Sequence, residues 1–208
     1  ALQAGGAVNG AAVQLTGKAR PLDAVPSYRA DLRLRDVDLQ QIFGAAAPSS
    51  QMAGTVRLSG TGLEAADRRL DASLQLGPSR IGRQALSSAE AQARVRPDSA
   101  AFSPSVAFPE GGLSATGGVD LFPPYAFTVD TLRARSVNVA ALTGDTTASA
   151  LTASAHLTGR GRSAESLRLG VDVRLDEGRY GSYRAAGGRL NGELRNGRFE
   201  GRVETILN

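Results

Sequence analysis

The amino-acid sequence predicts an all-β protein, built as a long curved antiparallel sheet of tandem repeats. Three observations predict this fold. Apolar and polar residues alternate with a period of two along most of the chain, as in strands with one buried face. Helical periodicity is limited to two short single-turn segments. A segment of fourteen residues, 31–44, returns one hundred residues later as 131–144.

The repeated segment has the same plan in both copies. Aligned without a gap, the copies are identical at five of fourteen positions, against roughly one expected by chance. Each copy predicts a strand, a helix N-cap at Asp38 or Asn138, one apolar helical turn, and a glycine stop at Gly44 or Gly144. The apolar residues of the two turns are Leu39 and Ile42, and Val139 and Leu142.

The first unit, residues 1–108, is divided into strands by its alternation and its turn residues. The pattern predicts six strands, over residues 13–19, 28–35, 55–60, 70–76, 89–95 and 102–108. Gly60 and Gly62 mark a turn after the third strand. Pro104 interrupts the sixth strand, which we therefore expect to be an edge strand or irregular.

The second unit, residues 109–208, repeats this order within the same continuous sheet. It opens with alternation over residues 113–121, and the alternation is clearest in the last three strands, over residues 167–175, 190–194 and 199–207. In the later strands the matching residues lie 99 positions apart, as Leu70 and Leu169 do. We therefore expect about six strands in each unit and about twelve in the chain.

The composition limits the function classes. The absence of cysteine excludes disulfides and thiolate metal sites. The net charge is +4, but arginine and acidic residues alternate without forming a basic block, which favours a solvated face over nucleic-acid binding. No run approaches the roughly eighteen apolar residues of a membrane span, and the N-terminus lacks signal-peptide features. We expect a fragment of a longer protein whose membrane anchor lies outside this chain.

We do not expect an enzyme, a cofactor or a metal site. The single histidine, His156, falls on the polar face of a predicted strand, where solvent exposure is the ordinary explanation. The chain contains neither a GxSxG motif nor a P-loop. The carboxylates Asp176 and Glu177 precede Gly178 in a predicted turn, where solvation explains them.

One face of the predicted sheet is apolar and requires cover. With almost no helix, the cover is either a second sheet wall or a molecule outside the chain. Two apolar stripes, Ala89 to Ala93 and Ala153 to Ala155, consist of alanine, which does not fill the usual gap of about 10 Å between packed sheets. A closely packed interior and a ligand-filled groove are both compatible with this pattern, and we favour the groove. The predicted lining residues are Leu70, Leu74, Leu76, Ala91, Ala93, Val95, Leu113, Ala115, Leu157, Leu169, Val171, Val173, Leu190 and Leu194.

The repeated segments resemble a known family. A strand is followed by DVDLQQIFG or SVNVAALTG, then by a strand ending in LSGTG or LTGRG, and residues 109–121 read PEGGLSATGGVDL. This arrangement resembles the AsmA and TamB superfamily of bacterial envelope proteins over nearly the whole chain. The resemblance implies a U-shaped trough, or β-taco, with a hydrophobic interior, which spans the periplasm of a diderm bacterium from an inner-membrane anchor.

Two functional hypotheses follow. The resemblance implies that a hydrophobic groove carries phospholipids or other acyl-chain ligands between the inner and outer membranes, with an Omp85-type outer-membrane barrel contacting regions outside this chain. The alternative is a purely structural or adhesive β-repeat segment with a solid core, which scaffolds outer-membrane protein assembly. Under either hypothesis the fragment exposes unpaired sheet edges, through which we expect it to self-associate.

Overall fold

The structure is a computed structural model that describes residues 2–8, 11–44, 47–82, 84–138, 147, 149–161, 163, 166–195 and 197–207. About three quarters of the described residues lie in strands, and little helix is present. The prediction of an all-β, antiparallel fold is confirmed. No helix in these ranges is long and apolar enough to cross a membrane.

The chain divides into two compact units, residues 1–97 with 106–109 and residues 98–105 with 110–208. The first unit contains β1 Leu2–Val8, β2 Ala11–Arg20, β3 Ser27–Val37, α1 Leu39–Phe43, β4 Ser50–Thr61, β5 Arg69–Leu76, β6 Ser79–Ile81, β7 Gln84–Leu86 and β8 Ser88–Val95. Its antiparallel sheet has the order β1-β2-β3-β4-β5-β8. The short β6–β7 hairpin pairs with the beginning of β4.

The second unit is a meander. It contains β9 Ser99–Phe108, β10 Gly111–Asp120, β11 Ala126–Val137, β12 Ser149–Arg160, β13 Arg168–Tyr180, β14 Tyr183–Arg195 and β15 Arg198–Leu207. The last residues of β9 belong to the first unit. The order from β9 to β15 follows the sequence, and every pair whose register is described is antiparallel.

β3 ends in a bulge. Its register with β4 shifts between Leu34 and Val37, so that one extra residue lies on β3. Asp36 has a φ of 53° there, a left-handed conformation that aspartate adopts more readily than most residues. The turn directs Val37 inward, and only 3% of this residue is exposed.

The helical turn after this bulge is the one predicted from the sequence. Asp38 Oδ1 accepts a hydrogen bond from the backbone N–H of Gln40 at 3.0 Å and another from that of Ser50 at 2.7 Å. Gly44 ends the turn with a φ of 78°, as a helix-terminating glycine does. The N-cap and the glycine stop predicted for the first copy are therefore confirmed.

The second copy repeats the bulge. The register of β11 with β12 shifts between Ala134 and Val137, Ser136 has a φ of 49°, and Val137 is 3% exposed. Ser149 Oγ donates to Asn138 Oδ1 at 3.0 Å, as Ser50 approaches Asp38 in the first copy. The predicted helical turn itself, with Val139, Leu142 and Gly144, lies outside the described residues.

Fifteen strands are present in the described ranges, against about twelve expected. The pattern missed β1, whose sequence LQAGGAV has few large side chains, and the three-residue strands β6 and β7. β9 runs for ten residues through Pro104 without interruption. The largest buried cluster of the first unit consists of Val37, Met52, Leu76 and Ala89.

Candidate apolar binding surface

The strand register places apolar residues of the first unit side by side. Residues directly opposite each other in an antiparallel pair lie on the same face of the sheet. One row crosses five strands through Leu15, Leu32, Val56, Leu74 and Ala91. The adjacent row crosses the same strands through Val13, Leu34, Gly54, Leu76 and Ala89. This face is apolar across the width of the unit, as the alternation predicts.

Two further rows complete the apolar face of the first unit. One passes through Ala30, Leu58, Ala72 and Ala93, and the other through Tyr28, Gly60, Leu70 and Val95. A Cβ atom added to Gly60 would lie 2.5 Å from Cζ of Tyr28. The glycine therefore makes room for the tyrosine ring to lie against the neighbouring strand.

The second unit has equivalent rows. One row passes through Ala115, Leu132, Ala155, Val173, Leu190 and Val203. The next passes through Gly117, Val129, Leu157, Val171 and Gly192, and a third passes through Leu113, Ala134, Ala153, Leu175 and Gly188. The apolar face thus extends over six neighbouring strands of this unit.

The fourth row of the second unit repeats the pairing of an aromatic ring with glycine. This row passes through Val119, Phe127, Gly159, Leu169, Leu194 and Phe199. The ring of Phe127 covers Gly159, and that of Phe199 covers Gly192 and Gly201, since a Cβ at each glycine would clash with the ring. Aromatic rings thus supply apolar surface where the strands have no side chain.

Part of the first unit's apolar face is covered, because Leu39 and Ile81 pack against the buried cluster of Val37, Met52, Leu76 and Ala89. Elsewhere neither apolar face is covered in the way that a packed core is. Among the described residues no side chain is fully buried, and the buried hydrophobic residues are Val37, Met52, Leu76, Leu86, Ala89 and Val137. The chain has an accessible surface of 13846 Å², whereas two compact domains of half its mass would expose about 11,000 Å² in total. The excess area is consistent with single-layer sheets whose apolar rows remain accessible.

The predicted lining residues all belong to these rows. Leu76 is buried and Ala93 is exposed. The other twelve are partly buried: Leu70, Leu74, Ala91, Val95, Leu113, Ala115, Leu157, Leu169, Val171, Val173, Leu190 and Leu194. The register brings them together within each unit, for example Leu74 with Ala91 and Val173 with Leu190.

The sequence-based list omitted several members of the same rows. Tyr28, Phe127 and Phe199 are the largest of these, and Leu15, Val56 and Leu132 are also absent from it. Extending the period-two pattern to every strand, with glycine counted as a member of the apolar face, finds Leu15, Tyr28, Val56 and Phe199. In β11 the register shifts by one residue between Val129 and Leu132, so a strict period of two finds only one of Phe127 and Leu132.

Several alanines of the stripes lie beside larger side chains, although Ala93 is opposite Ala72 and Ala153 is opposite Ala134. Ala91 is opposite Leu74, and Ala155 lies between Leu132 and Val173. These alanines therefore form shallow stretches of the apolar rows, with larger side chains nearby. A surface of this shape offers an extended ligand many similar contacts and no single deep site.

The opposite face of each sheet is charged. Asp71 receives a hydrogen bond from Arg94 Nε at 3.0 Å and an ion-pair contact from Arg96 at 3.4 Å. These arginines, Arg94 foremost, hold the pKa of Asp71 below its ordinary value of 3.8. The hydrogen bond from Arg189 to Asp172, at 2.9 Å, raises the pKa of Arg189. Such exposed pairs contribute little stability but keep this face solvated.

The residues considered for catalysis do not form a cluster. His156 is exposed, with Nδ1 3.2 Å from the backbone carbonyl of Asp130. It lies opposite Asp172, whose carboxylate accepts from Arg189. Within the described ranges no group of three or more histidine, aspartate or glutamate side chains is placed to hold a metal ion. The apolar rows are therefore the surface that best defines a candidate site.

Comparison with protein-family models, curated proteins and solved structures gives no match for this chain. The resemblance to the AsmA and TamB superfamily consequently rests on the quoted sequence segments alone. The geometry of the apolar rows is the independent basis for a function.

Proposed function

We propose that the chain is a segment of a bridge-like envelope protein that shields phospholipid acyl chains in a hydrophobic groove. In this proposal the sheets are walls of a trough, and the apolar rows of each unit face its interior. The observation that carries the proposal is the accessible apolar face, which is continuous in register across each unit and lacks fully buried side chains among the described residues.

The driving force would be the removal of acyl chains from water. Each methylene group that leaves water for an apolar surface contributes about 0.8 kcal/mol. Rows built from leucine, valine and alanine, with glycines covered by aromatic rings, present a similar surface from strand to strand. A lipid on such a surface would move along a nearly flat energy profile, because no single contact holds it strongly.

The cellular setting belongs to the same proposal. A lipid bridge of this kind would lie in the periplasm of a diderm bacterium and serve outer-membrane biogenesis. Its inner-membrane anchor, and the surface that contacts an Omp85-type outer-membrane barrel, would be supplied by segments outside this chain. Self-association through sheet edges would compete with the continuation of the sheet in the longer protein.

The proposal is tested by photo-crosslinking on matched positions of the two faces. A photoreactive amino acid at Leu74 or Val173 would face the groove, whereas one at the neighbouring Gln75 or Arg174 would face solvent. After illumination in cells and gentle purification, mass spectrometry should find phospholipid adducts at the first two positions only. Each control position lies next to its test position on the same strand, so the two positions are at a similar distance from the membrane.

Two results would contradict the proposal. Equal lipid labelling at both faces would indicate nonspecific contact with membrane. An absence of labelling at Leu74 and Val173, together with full protection of their strands from hydrogen exchange, would indicate a solid interior and support the structural-repeat alternative.

A further inference from the structure

The charged faces of the two units differ at matched positions, since Asp71 and its partner Arg94 in the first unit correspond to Gly170 and its partner Glu193 in the second. Asp71 in β5 and Gly170 in β13 lie 99 residues apart, and each directly follows a leucine of the apolar rows, Leu70 or Leu169. In the first unit the carboxylate of Asp71 lies between Arg94 and Arg96. In the second unit the matched position has no side chain.

A hollow occupies the place of that side chain. Its volume is about 290 Å³, and its lining includes Thr158, Arg160, Arg168, Glu193 and Arg195 around Gly170. Thr158, Gly170 and Glu193 are directly opposite one another on β12, β13 and β14. A Cβ atom at position 170 would approach Thr158 Oγ1 to 3.0 Å, so the glycine leaves this hydroxyl accessible.

The arginines of this hollow form a row of like charge. Arg160 is opposite Arg168, which is opposite Arg195. Like charges in such positions destabilise a sheet unless an anion lies between them. Arg195 is paired with Glu193 on its own strand, whereas Arg160 and Arg168 make no ion pair with any described residue. The hollow therefore holds an excess of positive charge.

We propose that the hollow at Gly170 is a phosphate-binding site. The guanidinium groups of Arg160 and Arg168 supply paired N–H donors, which match the oxygens of a phosphate group. The hydroxyl of Thr158 supplies a further donor, and the missing side chain at Gly170 leaves room for the anion. The bound phosphate supplies the negative charge that Arg160 and Arg168 lack in the folded chain.

The site lies at the strand ends, since Arg160 ends β12, Arg168 begins β13 and Arg195 is the last residue of β14. Its arginines and Thr158 lie on the charged face, while Leu169 and Leu194 of the apolar rows also contribute to its lining. Free inorganic phosphate and the phosphodiester of a phospholipid headgroup share the chemistry that these residues recognise.

The first test is a titration of the whole chain with inorganic phosphate, followed by NMR of the arginine Nε–H groups and the Gly170 amide. Saturable shifts are expected at Arg160, Arg168 and Gly170. Gly170→Asp should abolish them, because it fills the hollow and adds a negative charge. Arg168→Gln, an exposed substitution that leaves the fold intact, should weaken binding about tenfold. Glu193→Gln should strengthen it.

A reciprocal variant supplies the matched control. Asp71→Gly frees Arg94 and Arg96 in the first unit, and it should create a second phosphate response there without changing that at Gly170. Shifts that do not saturate, or that persist equally in Gly170→Asp and Arg168→Gln, would overturn the proposal.

The source of the phosphate is distinguished with vesicles. If headgroups are the natural ligand, the chain should bind phosphatidylglycerol vesicles, and Gly170→Asp should reduce that binding. Phosphate binding without an effect of Gly170→Asp on vesicle binding would assign the site to soluble phosphate. Both results require that the wild-type chain shows the NMR response to phosphate. Loss of groove labelling in the crosslinking experiment would contradict the proposed function but would leave this NMR response unchanged.

Discussion

The two copies of the bulge have the same backbone but different side chains. In each copy a residue with positive φ, Asp36 or Ser136, precedes a valine that is 3% exposed. The side chain of Asp36 accepts a hydrogen bond from Gln51 Nε2 at 3.0 Å, whereas in the second copy the Ser136 backbone N–H donates to Thr152 at 3.2 Å. The repeat thus preserves a turn that buries a valine, and different contacts support it.

The aromatic-over-glycine pairs allow a similar comparison. Tyr28 covers Gly60 in the first unit, and Phe127 covers Gly159 in the second. A Cβ at Gly60 would also lie 2.5 Å from the backbone oxygen of Arg69, whereas at Gly159 the nearest atoms all belong to the phenylalanine ring. The first site is therefore limited by the backbone and the second by a side chain that can rotate.

The largest expected effect comes from alanine at these glycines. Gly60→Ala should lower the free energy of unfolding by about 3 kcal/mol, because the backbone of β5 must move. Gly159→Ala should cost only about 1 kcal/mol, because Phe127 turns aside and alanine is favoured over glycine in a strand. Urea unfolding of the two variants, with hydrogen exchange to assign the loss to one unit, measures the difference.

Replacing the covering aromatic residue by leucine in each variant provides the control. In a Phe127→Leu background the cost of Gly159→Ala should largely disappear, since the clashing ring is gone. In a Tyr28→Leu background the cost of Gly60→Ala should largely persist. Equal costs for the two glycines in the wild-type chain would refute the distinction between backbone and side-chain limits.

A smaller effect is expected at the bulge. Ser136→Gly should raise the free energy of unfolding by about 0.5–1 kcal/mol, because glycine adopts positive φ without strain. Asp36→Gly should be close to neutral, since relief of a milder strain is offset by loss of the hydrogen bond to Gln51. Thermal unfolding of both variants compares the two gains in stability. A larger gain for Asp36→Gly than for Ser136→Gly would show that the first copy of the bulge is the more strained one.

The strand pattern and the cap were accessible from the sequence because they depend on local rules. Alternation determined the strands and their apolar faces, and Asp38 with Gly44 marked the helical turn. The change of spacing between the copies, from 100 to 99 residues, falls between the bulge and the next strand. Met52 lies 15 positions after its partner Val37, whereas Leu151 lies 14 positions after its partner Val137. The connection from β11 to β12 is therefore one residue shorter than that from β3 to β4, a difference in loop length that strand alternation does not predict.

Other features depend on contacts between strands that a single sequence does not define. Three-residue strands such as β6 and β7 are stabilised by pairing with β4 and not by their own composition. The rings that cover Gly60 and Gly159 come from neighbouring strands, so they required the register. The hollow at Gly170 likewise required knowledge of which arginines lie opposite one another.

The smallest expected effect tests the matched position of Asp71 and Gly170 through pH. Arg94 and Arg96 hold the pKa of Asp71 below 3.8, so the folded chain binds this proton less readily than the unfolded chain. The ion pairs therefore stabilise the fold fully above about pH 4, and this contribution is lost as the pH falls through the lowered pKa. Asp71→Asn should reduce the free energy of unfolding at pH 7 by less than about 1 kcal/mol, because water screens the exposed pairs. The difference between variant and wild type should vanish near pH 2, as measured by urea unfolding.

Gly170→Asn is the control for this pH dependence, because Gly170 has no carboxylate. The change that it causes in the free energy of unfolding should be the same at pH 2 and at pH 7. A change that varies with pH would show that the pH dependence at Asp71 does not come from its carboxylate alone.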